Sequence, residues 1–99
     1  LCCPIAPYES DRQANRKLIS ASTPYIEVFV ATSLEECESR DVKGLYAKAR
    51  AGLVKEFTGI SDPYETPQGA EIVIDTKGKT ITQCVDKIIE HLKKNGLLA

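Results

Sequence analysis

Hydrophobic residues recur at helical spacing in the last quarter of the chain. After Thr80 they occupy one face of a helix, and Gly96 stands where a left-handed residue often ends one; the apolar positions are Ile81, Val85, Ile88, Ile89 and Leu92. This pattern predicts an amphipathic helix of about four turns that packs its apolar face on the rest of the domain.

Three sites along the chain carry the pattern of a helix start. In a capping box, Ser or Thr precedes Glu or Gln by three positions, and the two side chains satisfy backbone N–H groups of the first turn. The pairs are Ser10 with Gln13, Ser33 with Glu36, and Thr80 with Gln83. We therefore expect helices to begin near Ser10, Ser33 and Thr80.

Short apolar runs between these helices predict strands. Residues 25–31 (YIEVFVA) and 71–75 (EIVID) are rich in β-branched and aromatic side chains, and the first is apolar almost throughout, as in a strand covered on both faces. Residues 1–5 (LCCPI) resemble the end of a third strand. Strands that alternate with helices predict an α/β fold with a parallel sheet. Ligands of such sheets bind beyond the carboxyl ends of the strands.

Charge and hydropathy narrow the classes of function. The formal net charge is −1, which argues against a nucleic-acid-binding or membrane-binding surface that acts through bulk charge. No apolar run approaches the roughly 20 residues needed to cross a bilayer, and no signal peptide is recognisable, so we expect a cytoplasmic protein. The 99 residues suffice for one domain at most.

The cysteines do not suggest a metal or redox site. Cys2, Cys3, Cys37 and Cys84 lack the Cys-x-x-Cys spacing of a zinc site, and we expect reduced, mostly buried thiols. The chain contains no methionine and begins at Leu1 inside an apolar segment. We therefore expect it to be the C-terminal part of a longer protein.

A basic segment is followed directly by an aromatic loop. Residues 40–55 carry Arg40, Lys43, Lys48, Arg50 and Lys55 against one acid, Asp41. If residues 44–51 form a helix, Lys43 and Arg50 share a face. Such a run is often only a solvated helix face, but flanking glycines and a neighbouring aromatic surface favour a nucleotide lid over residues 40–56.

The aromatic loop covers residues 54–67 (VKEFTGISDPYETP). Pro63 and Pro67 exclude a helix or a central strand, yet the segment holds Phe57 and Tyr64. Aromatic side chains are costly on a solvated loop, so we expect this loop to pack on something, a ligand included.

These segments carry a resemblance to a known family. The runs RDVKGLYAKARAG, FTGI and DPYE, together with PIAPY, resemble the C-terminal half of adenylylsulfate kinases, which use ATP to phosphorylate the 3′-hydroxyl of adenosine 5′-phosphosulfate (APS). The form PIAPY is most similar to kinase or kinase-like domains fused to ATP sulfurylase. The resemblance implies the C-terminal portion of a three-layer P-loop nucleotide kinase fold over residues 1–99. It leaves a homodimer and a fusion to ATP sulfurylase open, and implies no nucleic-acid partner.

The resemblance also implies binding residues for two nucleotides. Phe57 would stack on the adenine of APS, the backbone at Glu56, Ile5 and Ala6 would contact the same substrate, and Lys43 would reach it from the lid. Arg40 would lie against the adenine of ATP. Lys79 and Cys84 would meet that ring from a loop and the following helix. Stacking and charge suit these roles, since phenylalanine offers a π face, arginine a planar cation and lysine a point charge.

The sequence departs from the family pattern at some positions. Ala6 replaces a serine of many relatives, and Glu56 replaces a glycine of most, which puts a carboxylate beside an anionic substrate. No Gly-x-x-x-x-Gly-Lys-Ser/Thr loop and no counterpart of the family's catalytic aspartate is present, so catalytic residues and the ligands of a Mg²⁺ ion bound with ATP are expected outside this chain. His91 is expected on the surface of the last helix. These 99 residues alone are therefore expected to be inactive.

Three functions remain open at this point. The first is an adenylylsulfate kinase, of which this chain carries the lid and the adenine-binding faces. The second is a catalytically silent, allosteric sulfonucleotide-binding domain of an ATP sulfurylase. The third is a generic α/β nucleotide-binding fragment. An intact or a degraded phosphate loop upstream of Leu1 would distinguish the first from the second.

Overall fold

The computed structural model describes residues 1–98, which form four helices and a two-stranded parallel sheet. In chain order the elements are α1 (Glu9–Ser20), β1 (Val28–Val30), α2 (Leu34–Arg40), α3 (Leu45–Arg50), β2 (Ile72–Ile74) and α4 (Ile81–Lys94). The α/β class and the parallel pairing are as predicted.

The sheet is short and only partly buried. Val28, Phe29 and Val30 pair with Ile72, Val73 and Ile74, and the hydrogen bonds Ile72 N–H to Glu27 and Ala31 N–H to Ile74 extend the ladder at both ends. Ile72 and Ile74 are each 3% exposed, whereas Val30 is 60% exposed and Val73 49%. The expectation that the first strand is covered on both faces is thus wrong for the described part of the chain.

The third strand, predicted from the LCCPI run, is not formed. Residues 1–5 have no strand pairing and are exposed. A strand requires a neighbour that accepts and donates its hydrogen bonds, and within residues 1–98 the sheet consists of β1 and β2 alone.

All three predicted helix starts are confirmed, since α1, α2 and α4 begin at Glu9, Leu34 and Ile81. At α4 the complete capping box forms between Thr80 and Gln83, and Gly96 follows the helix with φ 69°. At α2 the hydroxyl of Ser33 accepts from the Glu36 N–H at 3.2 Å. These signals are local, so sequence spacing is enough to find them.

At α1 the predicted start is confirmed, but the predicted capping box of Ser10 and Gln13 does not form. The helix begins at Glu9, with Tyr8 as its N-cap, so Ser10 lies inside the first turn. The Glu9 N–H is satisfied instead by the carboxylate of Glu65, 56 residues away, at 2.7 Å. Gln13 donates to the Glu9 side chain. A tertiary contact replaces the local cap that the sequence suggested.

The cysteine expectation holds only in part. All four thiols are free, but Cys2 and Cys3 are exposed, and Cys37 and Cys84 are half-buried. Across residues 1–98, no helix is long and apolar enough to cross a membrane.

Candidate functional site: two adjoining pockets at the ends of the strands

The larger pocket lies at the carboxyl end of β1 and has a volume of about 480 Å³. This volume falls in the range of pockets that bind small molecules, about 300–1,000 Å³. Four aromatic rings contribute to its wall: Phe29, Tyr46, Phe57 and Tyr64. We call it the aromatic pocket. The aromatic loop therefore packs on a concave surface, as expected.

Phe57 is fixed in this wall by its own loop. Its N–H donates to the Ser61 hydroxyl at 2.7 Å, and its carbonyl accepts from the N–H groups of Ile60, Ser61 and Asp62 at 3.0–3.1 Å. The ring packs against Tyr46 with centroids 5.1 Å apart and planes at 68°. Because the two rings meet edge to face, Phe57 is held in place without being sandwiched by another protein ring.

Tyr46 and Cys37 form the side of the aromatic pocket next to Phe57. Burial raises the pKa of the Tyr46 phenol, and the nearby Cys37 thiol adds to that shift. The phenol is therefore neutral at physiological pH. This side of the pocket presents a thiol and a neutral aromatic ring to a ligand.

Three of the five residues predicted to bind APS line the aromatic pocket. They are Ile5, Glu56 and Phe57. Ala6 lies next to Ile5, with its carbonyl bonded to Arg12 at 2.6 Å. Lys43 is exposed in the turn before α3 and does not belong to this wall. The structure thus brings four of these residues together and leaves Lys43 apart.

Two of these positions have backbones in the left-handed region. Ala6 has φ 41° and Glu56 has φ 54°. Residues other than glycine are strained in this region by about 1–2 kcal/mol. At position 56, the positive φ by itself would favour glycine over any residue with a side chain.

Asp41, the one acid in the basic segment, accepts hydrogen bonds from the first turn of α3. Gly44 is the N-cap of α3, and the carboxylate of Asp41 accepts from the N–H groups of Tyr46 and Ala47 at 2.9 and 3.0 Å. From the sequence, Asp41 was noted only as the one acid in a basic run, and its role as a cap was missed. An acid shortly before a glycine at a helix start was the available signal.

The predicted shared face of Lys43 and Arg50 is wrong. Lys43 precedes α3, which begins at Leu45, so the two side chains do not follow one helical surface. Arg50 instead donates to both carboxylate oxygens of Glu38 on α2, at 2.6 and 3.1 Å. The hydrogen bond from Arg50 lowers the pKa of Glu38, and the same bond raises the pKa of Arg50. Arg50 therefore ties α3 to α2.

The smaller pocket lies at the carboxyl end of β2 and has a volume of about 310 Å³. Arg40 at the end of α2, Lys79 and the N-terminal part of α4 surround it, with Cys84, Ile81 and Val85 among the lining residues. We call it the cationic pocket. It brings together all three residues that were predicted to contact ATP.

The two pockets are joined by a pair of threonine hydroxyls. Thr32 lines the aromatic pocket and Thr76 the cationic pocket, and their Oγ1 atoms are 2.6 Å apart. The Thr76 N–H also donates to Thr32 Oγ1 at 3.0 Å. Because these residues follow β1 and β2, the parallel register itself places the pockets side by side.

Metal binding has no support from the side chains of this region. Among residues 1–98, no group of three or more His, Cys, Asp or Glu side chains could hold a metal ion.

Comparison with known proteins gives a consistent picture. The adenylyl-sulfate kinase of Synechococcus sp. (strain JA-2-3B'a(2-13)) is 52% identical over 92 residues, which cover 93% of this chain and 51% of that protein. The sulfate adenylyltransferase of Coccidioides immitis (strain RS) is 47% identical over 98 residues, 99% of this chain and 17% of that protein. The chain spans about half the length of the adenylyl-sulfate kinases it matches.

A solved structure supports the fold. The Mycobacterium tuberculosis APS kinase in complex with AMPPNP and APS aligns with a TM-score of 0.85 and 38% identity, over 91% of this chain and 52% of that one. The likeness confirms the predicted α/β class, with a parallel sheet of the P-loop nucleotide kinase type. The family model for adenylylsulphate kinase matches residues 1–75, three quarters of the 99, and the chain belongs to that family.

Proposed function

We propose that the whole protein containing this chain phosphorylates the 3′-hydroxyl of APS with ATP. In this proposal the aromatic pocket binds APS and the cationic pocket binds the adenine of ATP. One observation carries the proposal: six of the eight residues assigned to the two nucleotides, in segments scattered along the chain, line two adjoining pockets at the carboxyl ends of β1 and β2, three in each pocket.

The chemistry of each pocket suits its proposed ligand. The aromatic pocket offers the Phe57 ring, which can stack on adenine whatever its orientation in the plane. The cationic pocket offers the Arg40 guanidinium, a planar cation that stacks on a base, and the apolar side chains of Ile81 and Val85. Lys43, on the exposed turn before α3, would reach the anionic part of APS only if the basic segment moves toward the pocket.

Phosphoryl transfer requires groups that lie outside these pockets. Negative charge develops on the transferred group, and kinases offset it with loop N–H groups, a loop lysine and metal ions. Neither a phosphate-loop motif nor a metal-ligand cluster is present in the described residues, so other parts of the whole protein would supply them along with the ligands for Mg²⁺. This chain would position both nucleotides.

An activity assay of the complete polypeptide tests this proposal. The complete polypeptide, purified with Mg²⁺ and ATP, is assayed for formation of 3′-phosphorylated APS. Phe57→Ala should raise the KM for APS and Arg40→Ala the KM for ATP, each with little effect on the other substrate. Absence of turnover together with absence of binding of either nucleotide would overturn the proposal.

A second candidate function has its own support. Sulfate adenylyltransferases of Coccidioides immitis and Gibberella zeae are 47% and 46% identical to this chain over 98 residues. A fused domain that binds a sulfonucleotide without turnover would use the same aromatic pocket as a regulatory site. In that case the complete protein would bind the sulfonucleotide, fail to phosphorylate APS, and show ATP sulfurylase activity that responds to the bound nucleotide.

A further inference from the structure

We infer that Arg12 is a positioning residue that sets the width of the aromatic pocket and thereby the affinity for APS; this inference rests on the proposed function. Arg12 is on α1, outside the pocket lining, and neither its sequence context nor its charge singled it out. Its side chain is only 7% exposed, which is unusual for an arginine.

The guanidinium of Arg12 joins three segments that are separate in sequence. Nη1 donates to the carbonyl of Ala6 at 2.6 Å, and Nη2 donates both to the carboxylate of Glu9 and to the carbonyl of Glu65. Its Cζ also lies 5.5 Å from the centroid of the Tyr64 ring. One buried cation thus holds residues 6, 9 and 64–65 together.

Two of these segments contribute to the wall of the aromatic pocket. Ile5 and Tyr64 both line the aromatic pocket, and each is next to a residue whose carbonyl accepts from Arg12. The Glu65 N–H donates to the Pro7 carbonyl at 2.7 Å, and the Glu65 carboxylate accepts from the Glu9 N–H at the same distance. These two hydrogen bonds also join the segments, and the guanidinium adds the contacts at Ala6 and Glu65, the positions next to the pocket wall.

The backbone of Ala6 is strained, so its position depends on the hydrogen bond from Arg12 to its carbonyl. Its φ of 41° is a conformation that non-glycine residues adopt at a cost of about 1–2 kcal/mol. The hydrogen bond from Arg12 to the Ala6 carbonyl opposes relaxation of this strain. If the bond is lost, the segment at Ile5 is free to leave the position from which its backbone would face a ligand.

Lysine cannot replace arginine in this role. A guanidinium is a planar fork with five N–H donors, whereas an ammonium is a compact charge that cannot span two carbonyls and a carboxylate in one plane. Arg12→Lys keeps the charge and the length of the side chain but loses the bridge. It therefore tests geometry rather than charge.

The same helix provides a matched control in Arg16. This arginine also stacks on a tyrosine, Tyr25, with Cζ 4.8 Å from the ring centroid, and it donates to both oxygens of Glu71 at 2.9 Å. Its partners lie at the amino ends of β1 and β2, away from both pockets. Arg16→Lys thus imposes the same chemical change on the same helix without touching the pocket wall.

The test measures equilibrium binding of APS and of AMPPNP to the complete polypeptide, with kcat and KM alongside. We expect Arg12→Lys to raise the Kd and KM for APS at least tenfold, while AMPPNP affinity and kcat at saturating APS change by less than about threefold. Arg16→Lys should leave APS affinity unchanged. Glu9→Gln weakens one contact of Arg12 at a more exposed position, so it should also raise the Kd for APS, but by a smaller factor. This variant replaces Arg12→Lys in the test if Arg12→Lys does not fold.

Two results would overturn the inference in distinguishable ways. If Arg12→Lys and Glu9→Gln bind APS as tightly as the unmodified protein, or if Arg12→Lys and Arg16→Lys weaken APS and AMPPNP alike, then Arg12 only stabilises the fold. If the unmodified protein itself binds no APS, the proposed function fails, and the positioning role fails with it.

Discussion

Arg40 and Thr76 are joined by a hydrogen bond of 2.7 Å from guanidinium Nη1 to hydroxyl Oγ1, although 36 residues separate them. The Nε atom of Arg40 also donates to Glu36 at 3.2 Å. Two acceptors on different sides thus fix the plane of the guanidinium at the rim of the cationic pocket. A fixed plane is what stacking on a base requires.

Removal of the Thr76 hydroxyl should weaken ATP binding selectively. Thr76→Val keeps the shape of the side chain but deletes the acceptor, and a net loss of about 1 kcal/mol corresponds to a roughly threefold to tenfold rise in the KM for ATP. Thr76→Ser keeps the hydroxyl and should behave like the unmodified protein. The test is steady-state kinetics of the complete protein. Equal KM values for ATP in the Val and Ser variants would contradict a role of the Thr76 hydroxyl in ATP binding.

Phe57→Ala should raise the KM for APS by roughly tenfold to a hundredfold, because a lost stack on a base costs about 1–3 kcal/mol. The KM for ATP should change little. Phe57→Tyr retains the π face and the edge contact with Tyr46, so it controls for a general loss of packing. Kinetics with weakened ATP binding and unchanged APS binding would assign Phe57 to the other nucleotide.

The parts of the fold that sequence predicted depend on local signals. The Thr80 capping box, the apolar face of α4 and Gly96 all act within one helix, so their spacing is sufficient. The two apolar runs that form β1 and β2 were found for the same reason, although each strand is shorter than its run. Hydrogen bonds to a neighbouring strand decide where a strand ends, and a sequence does not display its neighbours.

Long-range contacts account for what was missed. The start of α1 depends on Glu65, and the interpretation of Ser10 as a cap failed because that distant carboxylate satisfies the helix N–H group. Arg12 escaped notice since its acceptors at Ala6 and Glu65 are mainly backbone carbonyls, which any residue carries. The site residues came from family resemblance rather than from spacing, and the pairing of Thr32 with Thr76 had no sequence signal.

Glu56→Gly should stabilise the protein and improve APS binding. The φ of 54° at Glu56 disfavours any side chain, so glycine should raise the free energy of unfolding by about 0.5–1 kcal/mol after its larger loss of chain entropy is counted. Glu56→Ala removes the carboxylate but keeps the strain, which separates the two effects. Denaturant unfolding of the complete protein that shows Gly no more stable than Ala would refute the strain argument.

The contact between α3 and α2 should weaken in acid. The pKa of Glu38 lies below its ordinary value of 4.5, mainly because Arg50 donates to the carboxylate. A carboxyl group with a lowered pKa in the folded state contributes its full stabilisation above the unfolded value and loses it as the pH falls through the folded value. Amide-exchange protection of residues 45–50 should thus be constant above pH 4.5 and decline below it.

The variant Arg50→Gln checks the cause of that shift. It should bring the pKa of Glu38 back toward 4.5 in an NMR titration of the side-chain carboxyl carbon. Glu9 is the internal reference, because Gln13 and Arg12 lower its pKa and neither is changed. A Glu38 pKa that stays low without Arg50 would show that another group holds the carboxylate.

The 99 residues by themselves should transfer no phosphate. The transition state spreads negative charge over the moving phosphoryl group, and the sequence contains no phosphate-loop motif to receive it. Within residues 1–98 no acidic or histidine cluster could organise a metal ion, and Lys43 can attract an anion but cannot orient one. Val30 and Val73, which are 60% and 49% exposed, lie on opposite faces of the sheet, so neither face is fully covered and the isolated chain should be poorly stable. A coupled assay of the purified 99 residues, with the complete polypeptide as the positive control, measures this. Turnover by the 99 residues above the enzyme-free rate, reduced by Lys43→Ala, would place the catalytic groups within this chain and contradict the argument.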